Sequence, residues 1–145
     1  MTDDIELRPL GQTDASAALA LYNALTFGPK SHDAEAFRTV LRHPGTTIYG
    51  AFEGTGLVAM LTLHLLPNVT WDARPYGLVE NVVTTATHRK RGIGKKLMQY
   101  AIAQAWAADA FKIMLMTGNK RGAAGFYEAV GFRAEDKTAM VIRRP

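Results

Sequence analysis

The stretch "TTATHRKRGIGKKLMQYA", Thr84 to Ala101, passes from β-branched residues through a cluster of cations and two glycines into a helical pattern. From Gly92 onward Ile93, Leu97, Ala101 and Ala105 recur every four residues, while Lys95, Lys96, Gln99 and Gln104 fall largely elsewhere. That is an amphipathic helix with one apolar face for a sheet. A helix begins with N–H groups that no intrahelical carbonyl accepts, and its dipole places partial positive charge at the same end. An anion is stabilised there. Gly92 and Gly94 let the backbone approach such an anion closely, and Arg89, Lys90 and Arg91 add charge. Two adjacent phosphates would match this row of donors better than one carboxylate. The commoner phosphate motifs fail on register: Lys96 follows Lys95 where a P-loop needs Ser or Thr, and Leu97 stands where the dinucleotide pattern needs a third glycine.

Working outward, "GLVENVVTT" reads as the strand entering this loop, and "FKIMLMT" as the strand after the helix. A strand, helix, strand unit of that length predicts two parallel strands with a right-handed crossover. Upstream, "IELRPL" reads as an opening strand and "TDASAALALYNAL" as a helix capped by Thr13 or Asp14. A second helix runs from Asp33 to Arg42 and stops before Pro44, and "TTIYGAFE" and "LVAMLTLHLL" form a hairpin around Gly54 to Gly56. Downstream, "GAAGFYEAV" is a helix closed by Gly131, and "TAMVIRR" a last strand. The expected order is β-α-α-β-β-β-α-β-α-β, an α/β (α+β type) mixed sheet with a parallel central strand pair. At 145 residues, 48% of them hydrophobic, the chain predicts a single domain spanning 1–145.

Composition narrows the chemistry. There are no cysteines, which excludes disulfides, thiolate metal sites and a covalent cysteine intermediate, and no metal is expected. The longest apolar run, Leu57 to Leu66, is about half the length of a membrane span, so no membrane association is expected. The acidic opening "MTDDIELRP" is the reverse of a secretory signal, which predicts a cytoplasmic protein. A net charge of +4 favours an anionic partner. No recognition helix or interleaved aromatic and basic surface is visible, so the expected partner is a compact anion and not nucleic acid.

"RKRGIG" at Arg89 to Gly94 resembles the [QR]-x-x-G-x-[GA] signature of the GNAT superfamily of acyl-CoA-dependent N-acyltransferases, and "FYEAVGF" at Phe126 to Phe132 is similar to the family's "YEKxGF" segment. The resemblance covers nearly the whole chain. It implies acetyl-CoA as acyl donor, with its pyrophosphate held by backbone N–H groups along Arg91, Gly92, Ile93, Gly94 and Lys95, beside Arg89 and Lys90. The backbone of Val82, Val83 and Thr84 would run along the pantetheine arm, and Asn119 would touch the cofactor. Arg121, in the same segment as Asn119, would meet a phosphate or solvent.

Acyl transfer to an amine needs a neutral amine, a stabilised oxyanion and a proton for the departing thiolate. By the resemblance Tyr127 is the general acid, its phenol protonated at neutral pH; the alternative is an aromatic packed beside Phe126. Glu80 lies among apolar strand residues, where period two groups it with Leu78, Val82 and Thr84. A carboxylate there requires a partner or a wet cleft, and the resemblance makes it the base that takes the amine proton through water. Asn81 faces the other way, and His64 on the neighbouring strand is a second candidate base.

The nearest resemblance is to small glucosamine-phosphate N-acetyltransferases, with "AFRTVLRHP" and "LHL" similar to aminoalkylphosphonate acetyltransferases. Both imply a small-molecule primary amine as acceptor, and the family implies a homodimer. Trp71 and Tyr76 would line the acceptor pocket or cover the core. Acetylation of a protein lysine or N-terminal amine, and a non-catalytic acyl-CoA-binding module, remain as alternatives.

Overall fold

The hairpin of β2 (Thr46–Glu53) and β3 (Gly56–Leu66) organises the sheet. Its strands pair antiparallel from Thr46↔His64 to Glu53↔Gly56, and β3 from Leu57 to Leu63 is buried on both faces. The computed structural model describes residues 4–119, 122–134 and 137–145. Strands β1 (Ile5–Pro9), β4 (Tyr76–Thr84) and β5 (Ile113–Leu115) complete a five-stranded sheet in the order β1-β2-β3-β4-β5. Only β4 and β5 run parallel, through Gly77↔Ile113 to Val79↔Leu115, so the expected mixed sheet with a parallel pair is present.

Alternation along the strands sends side chains to two layers. Ile48, Phe52, Met60 and Val83 meet Ala15, Ala18 and Leu21 of α1 (Ala15–Leu25) and Phe37 of α2 (Ala34–Arg42) in one core. The intervening residues face α4 (Ile93–Ala107): Tyr49 meets Tyr100 edge-on at 5.4 Å, and Ile93, Leu97, Met98, Ala101 and Ala105 are buried. Each fully buried leucine or isoleucine in such a layer stabilises by roughly 2 kcal/mol. The four-residue spacing read from the sequence is therefore the sheet-facing stripe of α4.

Local chemistry sets the helix starts. Asp33 caps α2, accepting from the N–H groups of Glu35 and Ala36 at 2.9 and 3.1 Å. Asp14 precedes α1 but does not cap it by a side-chain bond. Its carboxylate instead accepts from Arg8 at 3.0 and 3.2 Å and from the Gly11 N–H at 2.8 Å, because a short 3-10 turn, Gln12–Asp14, leads into the helix. Between β3 and β4 lies α3 (Thr70–Ala73), a single turn in which Trp71, Asp72 and Ala73 take left-handed φ of 55°, 57° and 58°.

Contacts divide the chain into a unit ending at Leu115 and one beginning at Met116. The second unit contains α5 (Ala124–Ala129). It ends as the sequence predicts, with Gly131 at φ 104°. The Phe132 N–H donates to the Tyr127 carbonyl at 3.1 Å and the Gly131 N–H to the Glu128 carbonyl at 3.0 Å, a complete Schellman motif.

Two strand expectations are corrected. Strand β5 is shorter than "FKIMLMT", covering Ile113 to Leu115 only. The expected last strand "TAMVIRR" is not a strand: Met140 and Ile142 are 90% and 99% exposed. A strand needs ladder hydrogen bonds, and residues 138–144 make none with any described strand.

Candidate functional site

Strand β4 does not keep period two. Its register on β3 advances from Glu80↔Thr62 to Val83↔Met60, three residues against two, and Asn81 sits at φ 53°. This is a β-bulge with the extra residue in left-handed conformation, which asparagine tolerates better than most side chains. The face beyond it is inverted. Val83 is 6% exposed and joins the core beneath α1, so Glu80 shares its face with Val83 and Met60, not with Val82 and Thr84 as strict alternation predicts.

Parallel pairing with β5 ends at Val79. The β5-side backbone edge of β4 from Glu80 to Thr84 therefore has no ladder partner on β5. Glu80 is half-buried, Asn81 exposed, and Val82 and Thr84 half-buried. Opposite Glu80 stands Thr62, 2% exposed, whose hydroxyl is bonded to the Tyr22 phenol of α1. Burial pushes the Tyr22 phenol up, and the Thr62 bond works against that rise. Sequence reading missed Tyr22, which looks there like any other aromatic on an apolar helix face.

From Thr84 the chain enters the cationic loop. Lys90 has φ 61° and Gly92 φ 77°, two left-handed residues that fold the loop back onto the start of α4. Gly92 is the N-cap and has no side chain to cap with. The first intrahelical bond runs from the Lys96 N–H to the Gly92 carbonyl at 3.0 Å, so the N–H groups of Ile93, Gly94 and Lys95 precede any intrahelical acceptor. The Ile93 side chain is 2% exposed and pins this end of the helix to the core. Arg89, Lys90, Gly92 and Lys95 are exposed around it.

The loop is tied to the far end of the hairpin by a carboxylate that sequence reading did not single out. Glu53 Oε1 accepts from Arg91 at 2.7 Å, and Glu53 Oε2 pairs with His88 Nε2 at 2.8 Å. His88 Nδ1 lies 2.9 Å from the Thr85 hydroxyl and 2.8 Å from that of Thr87. An ionised carboxylate only accepts, so Nε2 carries a proton, and in the neutral ring the single lone pair of Nδ1 takes a hydrogen bond from one of the two hydroxyls. The His88 bond, and then the Arg91 bond, hold the Glu53 carboxyl below its usual range. Arg89 donates to the Thr84 carbonyl at 3.2 Å, tying the loop to the end of β4. Thus the structure brings Glu80, the Val82 to Thr84 edge, and Arg89 through Lys95 together along one strand and the helix it feeds.

Tyr127 and Asn119 belong to the second unit. The Tyr127 ring meets Phe126 edge-on at 5.1 Å and Phe132 at 6.2 Å, the apolar contact that accompanies a Schellman motif. Asn119 is exposed. Arg121 lies outside the described residues. Trp71 is 65% exposed and stacks on Phe111 at 5.2 Å, while Tyr76 meets the edge of Phe111 at 6.5 Å. Among the described residues there is no group of three His, Asp or Glu side chains suited to a metal, and no helix long and apolar enough to cross a membrane.

A bulged strand thus feeds an uncapped helix start through a cationic turn, and the comparisons with known proteins say which family carries this chain. Residues 15–132 match the model of the acetyltransferase (GNAT) family, and the chain belongs to that family. It is 31% identical to the glucosamine 6-phosphate N-acetyltransferase of Trypanosoma brucei brucei over 143 residues, covering 94% of this chain and 96% of that one. A putative acetyltransferase from Agrobacterium tumefaciens superposes with a TM-score of 0.90 at 38% identity, over 96% of this chain and 99% of that chain. An acetyltransferase from Trypanosoma brucei superposes at 0.83 with 26% identity, over 97% and 100% of the two chains.

Proposed function

We propose that the protein, as one acetyltransferase domain, moves an acetyl group from acetyl-CoA to the primary amine of a small molecule by direct attack in a ternary complex. The observation that carries this reading is the glycine-capped start of α4, where three successive N–H groups precede any intrahelical acceptor among exposed cations. Donors so arranged suit a pyrophosphate, and Gly92 presents no Cβ to it. The edge of β4 from Val82 to Thr84, which makes no ladder pair with β5, supports a second contact, with the amide-bearing arm of CoA lying alongside like an added strand. Asn119 is proposed as a further cofactor contact.

Acetyl-CoA supplies the thioester. Glu80 takes the amine proton through water, the amine nitrogen bonds the carbonyl carbon, the carbon–sulfur bond breaks, and Tyr127 gives its proton to the thiolate. The bulge at Asn81 supports the role of Glu80, because it sets the half-buried carboxylate next to the stretch of β4 that makes no ladder pair with β5. With no cysteine in the chain, no thioester to the protein's own cysteine can form. The name of the Trypanosoma relative favours an amino sugar phosphate as the first acceptor to try. We further propose a homodimer, on the family resemblance alone.

The test is release of free thiol from acetyl-CoA with amino sugars, amino sugar phosphates, aminophosphonates, polyamines and short peptides. Release dependent on a small amine supports the reading; release with peptides alone reassigns the acceptor to protein amines. Tight acetyl-CoA binding without release for any amine, unchanged in Tyr127→Phe, would make this a binding module.

A further inference from the structure

Two residues along β3 from Thr62, on the face that carries Glu80, lies a polar group with no part in the reading above. His43, Pro44, Gly45 and Thr46 form a turn closed by the Thr46 N–H donating to the His43 carbonyl at 3.1 Å, with Gly45 at φ 79°. The turn is seated on β3. The Leu65 N–H donates to the Gly45 carbonyl at 2.7 Å, and a Cβ on Gly45 would fall 2.5 Å from the Leu65 carbonyl oxygen, so only glycine fits. The result is that the Thr46 hydroxyl, on a residue 8% exposed, stands 2.9 Å from His43 Nδ1 and 2.9 Å from His64 Nδ1.

A hydroxyl has one proton and two lone pairs. Shared between two neutral imidazoles, it donates to one Nδ1 and accepts from the other. The first ring then carries its own proton on Nε2, and the second presents a lone pair there. His43 is exposed and His64 half-buried, and among the described residues neither Nε2 has a hydrogen-bond partner. The pair thus offers one donor and one acceptor, coupled through a shared hydroxyl. A phosphate monoester, whose second pKa is near 6, offers the complement: oxygens to receive from the first ring and, in the fraction still monoprotonated at neutral pH, an O–H to give to the second. A carboxylate at neutral pH has no proton to give, and an alcohol has no charge to draw one on.

Position gives the pair its meaning. The register sets His64 opposite Leu78 and Thr62 opposite Glu80, so His64 is the diagonal neighbour of Glu80, about 7–8 Å away on the same face, with Thr46 opposite His64 one strand further on. We propose that His43, Thr46 and His64 bind the phosphate of a phosphorylated primary amine whose amino group faces Glu80. That span suits a hexose-sized body carrying amine and phosphate on separate carbons. The amine end of this proposal rests on the acetyltransferase reading, whereas the phosphate end can be read by binding alone.

The probe is glucosamine 6-phosphate, titrated by calorimetry into the protein and into His64→Gln and His43→Gln, with acetyl-CoA titrated in parallel. Loss of a charge-assisted contact predicts an affinity for the phosphorylated sugar weaker by about tenfold or more in each variant. Acetyl-CoA affinity should hold, which shows that the variants fold. Inorganic phosphate should compete with the sugar phosphate in the unmodified protein and less in either variant. Undiminished affinity in both variants overturns the proposal, as does an equal loss of glucosamine and glucosamine 6-phosphate binding. If histidine-dependent binding appears but no amine is acetylated, the phosphate site stands and the transferase reading fails.

Discussion

The bulge at Asn81 can be tested by a single substitution, Asn81→Val. Asn81 sits at φ 53°, where a β-branched side chain crowds its own carbonyl, at a cost of about 1–2 kcal/mol. The chain has two ways to respond. It can keep the bulge and absorb the strain, or straighten β4 and restore period two. Straightening would turn Val83, now 6% exposed against Met60 and Phe52, away from the core beneath α1, which costs roughly 1.5–3 kcal/mol in lost burial. Keeping the bulge is the cheaper course. The expected result is a variant destabilised by about 1–2 kcal/mol, a roughly 5- to 30-fold shift in the folded to unfolded ratio. Asn81→Gly, free of the steric cost, should stay within about 1 kcal/mol of the parent. Urea unfolding followed by tryptophan fluorescence measures both, and thiol release shows whether Glu80 keeps its place. A valine variant as stable and as active as the glycine variant would refute the argument, because the site would then not depend on a left-handed residue at 81.

Four further outcomes are expected. Gly92→Val should weaken acetyl-CoA binding by calorimetry: a Cβ at φ 77° meets no protein atom within 4 Å, so beyond backbone strain its main effect falls on whatever approaches the loop from outside. Tyr127→Phe should lower turnover while leaving acetyl-CoA affinity intact, and Glu80→Gln should alter the pH–rate profile; unchanged rates in either remove that residue from the mechanism. Asp14→Asn should cost about 1 kcal/mol near neutral pH, since its partner Arg8 is partly exposed. The sign of its pH dependence follows from the Arg8 bond, which lowers the Asp14 pKa in the folded state. The stabilisation is therefore complete above the ordinary aspartate range and lost as pH falls through the folded value, so urea unfolding at pH 7 and pH 3 should show the gap between parent and variant closing.

What could be read in the sequence was what depends on neighbours along the chain. The four-residue stripe from Ile93 to Ala105, the glycine stop at Gly131 and the start of the second helix at about Asp33 each need only a few residues of context, and each appears in the structure. The bulge left a faint mark, an asparagine in the middle of a β-branched run, where asparagine is disfavoured unless the backbone turns left-handed. The Pro44–Gly45 dipeptide likewise signals a turn, and read as one it would have pointed to a close approach of His43 and Thr46. The last strand was misread because β-branched composition reports that a segment could pair, and not whether it does.

The Glu53 contacts left no such mark. Glu53 reaches His88 and Arg91 across 35 and 38 residues, and only the pairing of β2 with β3 and of β3 with β4 brings the hairpin tip to the loop. Its effect on the proposed site is nonetheless direct. Drawing Arg91 toward Glu53 spends part of that cation's charge inside the protein, so the anion-facing character of the loop rests more on the backbone N–H groups of Ile93, Gly94 and Lys95 than a count of arginines and lysines implies. Glu53 and His88 also restrain the loop before any ligand arrives, so less of its conformational freedom remains to be lost on binding. In the proposed site charge would draw the anion in and fixed backbone geometry would hold it, and that geometry is built by contacts a linear reading does not contain.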